Sequence, residues 1–302
     1  MIDLGASDAT RAHVLPAQGD SMNERQPSRT ALGAAGYRAA HQQLEGGKVF
    51  YDPLARTILG DDADTIIAGL SAGPAQQRMR IFMAARSRFA EDCLGAAVSR
   101  GVRQTVVLGA GLDTFALRNP HSDSGLQVFE VDHPATQAWK RKRLAEVGLS
   151  IPASLTFAAV DFETDDLGRG LSDAGFAPDR PAFFIWLGVV PYLGRAAITA
   201  TLRYIAGIQG SEVVFDYSEP LENYPPERRA DIAALAAYTA EIGEPWLSYF
   251  DPDEITRELR GFGFGDIEDL RVSEVAVRYL GAPAGGPRSG PGPHMIRAAG
   301  SS

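Results

Sequence analysis

The chain contains a single cysteine, Cys93, among its 302 residues. An intramolecular disulfide and a cysteine-based metal site are therefore excluded, and a reducing compartment fits. Positive charge is also scarce: 29 Lys and Arg stand against 38 Asp and Glu, leaving a net charge of −9. The densest basic cluster, 140–143, falls on an expected helix as a solvated face, so no nucleic-acid partner is expected. No secretion signal is visible either, because the opening MIDLGASDATRAH lacks a basic start and a long apolar core. The longest uncharged apolar stretch, 181–193, is too short to cross a bilayer, and the expectation is a cytoplasmic protein with no membrane partner. No internal repeat is evident.

The length of 302 residues allows one elaborated domain or a domain plus a cap, and the hydrophobic fraction of 45% is ordinary for a soluble globule. Residues 1–27 mix Gly, Ser, Asp, Gln and Pro without periodicity and are expected to be a flexible N-terminus. Residues 28–100 read as a helical cap. Its first helix is expected over 28–44, and Asp52 with Pro53 is expected to start a second helix running toward Leu59. A third is expected over 74–98, where Ile81, Phe82, Ala85, Phe89 and Leu94 recur at helical spacing and Arg78, Arg86 and Arg88 interrupt them. Residues 101–302 then alternate strands with helices, the pattern of a doubly wound α/β parallel sheet. Strands are expected at 104–109, 127–132, 154–160, 181–187, 211–217, 265–270 and 294–299. Helices are expected at 113–118, 134–147, 164–174, 195–208 and 252–261. An insertion at 218–250 carries a helix over 226–241 and the aromatic text GEPWLSYF, and a Gly, Pro and Ser loop precedes the last strand.

The stretch TVVLGAGLDTFALR, 105–118, is a buried strand running into a glycine loop and a helix start. Gly109 and Gly111, with Ala110 between them, let the backbone turn and approach a ligand where a Cβ would clash. A dinucleotide fingerprint requires a third glycine where Thr114 stands, and Asp113 just before it is ill placed for a phosphate. An acidic helix start suits a ligand that is cationic or uncharged there, such as a nucleoside carrying a sulfonium.

Ligands of doubly wound sheets sit at the carboxyl ends of the strands. The second strand ends in Glu130 and Asp132, two apart and so on one side, with Asp132 about twenty residues past the glycine turn, where ribose hydroxyls are held. An acidic helix cap before Pro134 is the alternative. The third strand ends in Asp161 and Phe162, able to bond and cover an adenine, or else to form a turn. The fourth, FFIWLGVVPYL, is broken by Gly188 and Pro191, with Tyr192 either lining the site or packing in the core.

Four blocks together resemble the leucine carboxyl methyltransferase family, including its bacterial S-adenosylmethionine-dependent branch. They are SRTALGAAGYRAA with YDPLA; RSRFAEDCL; VVLGAGLDTFALR with VFEVDHPATQAWKRKRL; and FFIWLGVVPYL with VVFDY and GEPWLSYFDPDEI. The resemblance implies a class I methyltransferase, Rossmann-like fold of seven strands with the last antiparallel, an N-terminal helical cap and a lid insertion. It matches the glycine loop to Gly109 and Gly111, the ribose acid to Asp132, and the adenine-side positions to Asp161 and Phe162. Arg86, with Arg88 as runner-up, matches the arginine that holds the methionine carboxylate. Some family members have Glu where this chain has Leu187, so that cofactor contact would pass to the backbone or Tyr192.

The reaction implied is methyl transfer by in-line displacement to a carboxylate or phenol of a small molecule or polyketide, with S-adenosyl-L-methionine as cofactor. A carboxylate needs no base, a phenol gains from one, and His133 is the only histidine within a core motif. As catalytic candidates the sequence offers Tyr192 and His133, the latter otherwise a plain loop residue, and as an apolar acceptor pocket Tyr37, Trp246, Tyr249 and Phe250, each otherwise plain core. The rival readings are a nicotinamide-dependent oxidoreductase, which Thr114 disfavours, and a catalytically inactive cofactor-binding protein of the same fold.

Overall fold

The structure is a computed structural model that describes residues 28–281 and 292–300. The expectations for 1–27 and for most of the Gly, Pro and Ser loop lie outside the described residues. Helix α1 (Arg29–Leu44) starts where Ser28 Oγ accepts the Ala31 N–H. It packs through small residues: a Cβ on Gly36 would lie 2.5 Å from Ile66 Cγ2 of α2 (Ala63–Gly69). The helix expected to begin at Asp52 is instead a turn followed by a 3-10 segment, Thr57–Asp62. Asp52 is fully buried. Its Oδ2 accepts from the Arg38 guanidinium at 3.2 Å and from Thr114 Oγ1 at 2.8 Å, and its Oδ1 takes the Leu54 N–H at 3.1 Å, closing the turn. Helix α3 (Gly73–Ser99) has proline in its first turn and buries Ala84, Ala85, Phe89 and Leu94 against the sheet.

From here strands and helices alternate as expected. They are β1 (Gln104–Leu108), α4 (Phe115–Arg118), β2 (Gln127–Asp132), α5 (Pro134–Glu146), β3 (Leu155–Ala159), α6 (Leu167–Asp173), β4 (Phe183–Trp186), α7 (Arg195–Ala206), β5 (Glu212–Ser218), α8 (Pro226–Glu241), α9 (Pro252–Phe262) and β6 (Phe264–Arg271). Then come α10 (Val272–Leu280), which the sequence pattern did not announce, and β7 (Pro293–Gly300). Two expected helices start later than their text suggested because acids upstream are taken up by a turn and a cap: Asp113 accepts the Phe115 N–H across a turn, and Asp166 caps α6 by accepting the Arg169 N–H.

The seven strands form one sheet in the order β3-β2-β1-β4-β5-β7-β6, with β7 antiparallel to both neighbours. The order reverses between β1 and β4, so the loops after these strands open onto one crevice. One face, with Leu108, Val131, Phe184, Trp186 and Phe215, is covered by α6, α7 and α9; the other, with Val107, Val128, Phe183 and Ile185, is covered by α3. Such strands, apolar on both sides, are what a parallel sheet between helix layers requires. Among the described residues no helix is long and apolar enough to cross a membrane.

Candidate active site

The loop after β1 needs both glycines. Gly109 (φ +63°) lies where a Cβ would come within 2.3 Å of Val189 Cγ2 in the loop after β4, and Gly111 (φ +46°) where it would meet Ala31 Cβ of α1 at 2.8 Å. The switch-point loops therefore touch each other, and the first turn of α1 rests on the glycine loop. The loop amides are already engaged: Ala110 N–H donates to the Val131 carbonyl at 3.1 Å, Gly111 N–H to Asp132 Oδ2 at 2.5 Å, and Phe115 N–H to Asp113 Oδ1 at 2.7 Å. Two of these acceptors are carboxylates, so an incoming phosphate would meet negative charge where it needs free donors.

Asp132 is held from both sides, its Oδ1 accepting the His133 N–H at 2.7 Å. Burial pushes its carboxyl up from the ordinary value, and the Gly111 and His133 amides oppose that. Each oxygen keeps a lone pair for a further donor. The helix-cap alternative does not apply, because α5 is capped by His133, whose Nδ1 accepts the Ala135 N–H at 3.2 Å. That bond occupies one ring nitrogen, and the exposed ring has no orienting acid among the described residues, so the catalytic reading of His133 loses its support.

Glu130, expected beside Asp132 at the site, is instead 1% exposed and closed on Lys140 Nζ of α5 at 2.6 Å. Burial pushes its carboxyl above the usual range, with Lys140 pulling the other way. The strand alternation was read correctly, but α5 covers that face at the Glu130 level, leaving only Asp132 at the edge.

The two arginines of α3 separate cleanly. Arg88 is exposed and paired with Asp92 one turn on, at 2.7 Å. Arg86 is 8% exposed and points to the crevice, where its Nη1 donates to Asp216 Oδ2 at 3.0 Å. Asp216, on β5, also accepts the Gly188 N–H at 2.5 Å through Oδ1. Gly188 (φ +68°) leaves room for the guanidinium, since a Cβ there would lie 2.9 Å from both Nη atoms. Leu187 beside it is half-buried against the α3 side of the sheet. Tyr192 follows in a 3-10 turn, and burial pushes its phenol up from the ordinary value.

The remaining candidates scatter. Asp161 forms a turn, accepting the Glu163 N–H at 3.0 Å, and Phe162 packs near Trp186 with ring centroids 6.5 Å apart. Both stand at the end of β3 on the open edge. Trp246 and Tyr249 lie edge to face at 6.1 Å, and the buried Trp246 indole N–H is directed to the Tyr192 phenol. The segment carrying them is fixed to the loop after β4 by the Leu247 and Ser248 N–H groups, both donating to the Pro191 carbonyl. Phe250, expected in the acceptor pocket, is fully buried in the core under the Arg195 guanidinium, so it packs and does not line a pocket. Tyr37 hydrogen-bonds Gln76 of α3 at 2.8 Å, and burial pushes its phenol up to about 12.

Two residues were not singled out in the sequence, although both lie in its quoted blocks: Asp216 in VVFDY and Glu244 in GEPWLSYF. Glu244 accepts the Arg29 and Thr30 N–H groups through its two oxygens at 2.9 and 3.2 Å. The insertion thereby caps α1, the helix that rests on Gly111. No local pattern joins residues that far apart.

The family model described as leucine carboxyl methyltransferase matches residues 31–206. A Bacillus subtilis protein provisionally named an S-adenosyl-L-methionine-dependent methyltransferase is 30% identical over 84% of this chain and 91% of its own length. A Mycobacterium tuberculosis protein of the same provisional name is 30% identical over 83% of this chain and 87% of its own. A crystal structure of a provisionally named methyltransferase from Thermobifida fusca superposes with a TM-score of 0.55 at 18% identity, covering 92% of this chain and 96% of that one, and it bears out the fold.

Proposed function

The chain belongs to the leucine carboxyl methyltransferase family, and from that premise we propose that it transfers a methyl group to a carboxylate or phenolic oxygen of a small molecule. It is an S-adenosylmethionine-dependent methyltransferase, and the residues at the crevice fit that cofactor. The glycine loop leaves space that a Cβ would fill, Asp132 offers acceptors for ribose hydroxyls, and Arg86 offers a buried guanidinium for the methionyl carboxylate. Asp161 and Phe162 would flank the adenine. The observation that carries the reading is the bond from Gly111 N–H to Asp132: it takes a loop amide that a dinucleotide's diphosphate would need, and so weighs against a nicotinamide-dependent oxidoreductase.

When bound, S-adenosylmethionine supplies an electrophilic methyl on a sulfonium. The protein's own part is to align and to exclude water. The glycine loop and α1 close one side of the crevice, and the 244–249 segment, docked on Pro191, closes another. Tyr192, with its phenol held protonated by burial, donates to the acceptor and does not act as its base. With His133 engaged as a helix cap, a carboxylate acceptor is favoured over a phenol, because a carboxylate of ordinary pKa, about 4, is already ionised at neutral pH.

Calorimetry with S-adenosylhomocysteine and NAD, followed by labelled-methyl transfer to a panel of carboxylic acids and phenols, tests this. Binding of S-adenosylhomocysteine alone, with label appearing as base-labile methyl ester, is the expected result. NAD binding in its place would overturn the activity. Cofactor binding without transfer to any acceptor would instead identify a catalytically inactive relative of the fold.

A further inference from the structure

Asp216 sits in none of the roles assigned so far, yet it lies at the point where three elements converge. Its carboxylate is 6% exposed at the site end of β5, next in the sheet to β4. One oxygen takes Arg86 Nη1 from α3 at 3.0 Å, and the other takes the backbone N–H of Gly188, just past β4, at 2.5 Å. A carboxylate serving only to neutralise a buried arginine would be expected to engage the guanidinium fork with both oxygens. Here it spends one oxygen on the backbone. Among the described residues no other acceptor bonds Arg86, so the remaining N–H groups of its fork carry no protein bond. The fork lies against Gly188, whose missing side chain is what admits both Nη atoms. A long, flexible side chain is thus tethered through Nη1 and backed by Gly188, with donors left over.

We infer that Asp216 is a positioning residue for recognition of the cofactor's amino-acid end, orienting Arg86 so that its remaining donors meet the methionyl carboxylate. The inference rests on the S-adenosylmethionine-dependent reading above. The physical reason is entropic: an arginine free to rotate loses side-chain freedom on binding, whereas one already clamped between Asp216 and Gly188 has lost it on folding. The Gly188 bond adds a second function, because it locks the backbone against which the guanidinium rests.

Two ligands separate this role from plain structural support: S-adenosylhomocysteine, and 5′-methylthioadenosine, which keeps the nucleoside but has no amino-acid end. Asp216→Asn preserves shape but turns either an amide donor toward Arg86 or one toward Gly188 N–H. By calorimetry it should weaken S-adenosylhomocysteine about 10- to 100-fold, the scale of a charged hydrogen bond, and leave 5′-methylthioadenosine within about twofold. Equal losses for both ligands, or no loss for either, overturn the inference. Should Asp216→Asn fail to unfold cooperatively, the pair Arg86→Gln and Arg86→Gln/Asp216→Asn carries the test, since the double variant buries no unpaired charge. If Asp216 acts through Arg86, the double variant binds S-adenosylhomocysteine no more weakly than Arg86→Gln alone; a further loss beyond about threefold refutes it. Wild-type protein that binds neither ligand would instead refute the cofactor reading on which the inference stands.

Discussion

Replacing Glu244 with alanine should loosen the start of α1 without unfolding the protein. The carboxylate accepts two amides of that helix's first turn, from Arg29 and Thr30, and Ser28 Oγ holds the next one at 3.1 Å. Loss of a helix cap costs about 1 kcal/mol. Loss of a negative charge at a helix N-terminus costs about 0.3–1 kcal/mol more. Together these make about 1–2 kcal/mol, a factor of about 5–30 in a local equilibrium. Amide hydrogen exchange resolved by residue is the assay: protection at Arg29 and Thr30 should fall by that factor, while amides of β1 and β4 keep theirs. Glu244→Gln, which retains one acceptor oxygen, should fall between. Because Ala31 rests on Gly111, the alanine variant should also bind S-adenosylhomocysteine more weakly. Unchanged protection at both amides in a folded variant would refute the capping role. Equal losses throughout the sheet would show that Glu244 supports the whole fold and not one joint.

Two further outcomes follow from the geometry. Asp132→Ala should weaken S-adenosylhomocysteine by about 1–3 kcal/mol, since it removes a charged acceptor and frees the Gly111 amide it restrains; an unchanged dissociation constant would disprove the ribose assignment. His294, buried on β7, donates to Asp269 at 2.9 Å and Glu219 at 3.0 Å when protonated and stacks on Tyr217. Burial pulls its pKa down, but bonding to Asp269 and then Glu219 outweighs this and leaves it raised above the ordinary value. A folded value above the unfolded one means that the stabilisation is complete below about pH 6.5 and is lost as pH rises through the folded value. Urea unfolding at pH 6 and pH 9 should therefore show a stability drop that His294→Gln reduces; identical drops in both proteins would contradict it.

The parallel part of the sheet was legible in the text because its strands are short runs rich in apolar residues, unlike β6 with its Asp266, Glu268 and Asp269, and the switch-point loop because Gly109 and Gly111 stand directly after such a run. Tertiary choices were not. Arg86 and Arg88 lie two apart on a helix rich in alanine, so periodicity alone could not say which one faces the crevice. Glu130 and Asp132 share a strand face, but only the placement of α5 shows that Lys140 has closed one of them into the core. The aromatic run 246–250 looked uniform, yet Phe250 turns inward where its N–H bonds the Ser218 carbonyl. Asp216 and Glu244 act on partners from α3 and α1, and so had no local signature. Helix α10 escaped notice because it is a nine-residue helix entered directly from β6, without an intervening turn residue to announce it.

The place of β7 carries a consequence for how this chain is built. It is the last strand in sequence, yet it lies between β5 and β6, so β6 has no edge to join until β7 arrives. Its His294 reaches back to Glu219, at the root of the segment that covers the crevice. During synthesis the parallel half of the sheet can assemble as it emerges, whereas β6 and the His294 contact to Glu219 must wait until β7 has been made. A chain shortened by its last strand would therefore keep the glycine loop and the Pro191 and α1 contacts of the 244–248 segment, and lose the tie from His294 to Glu219.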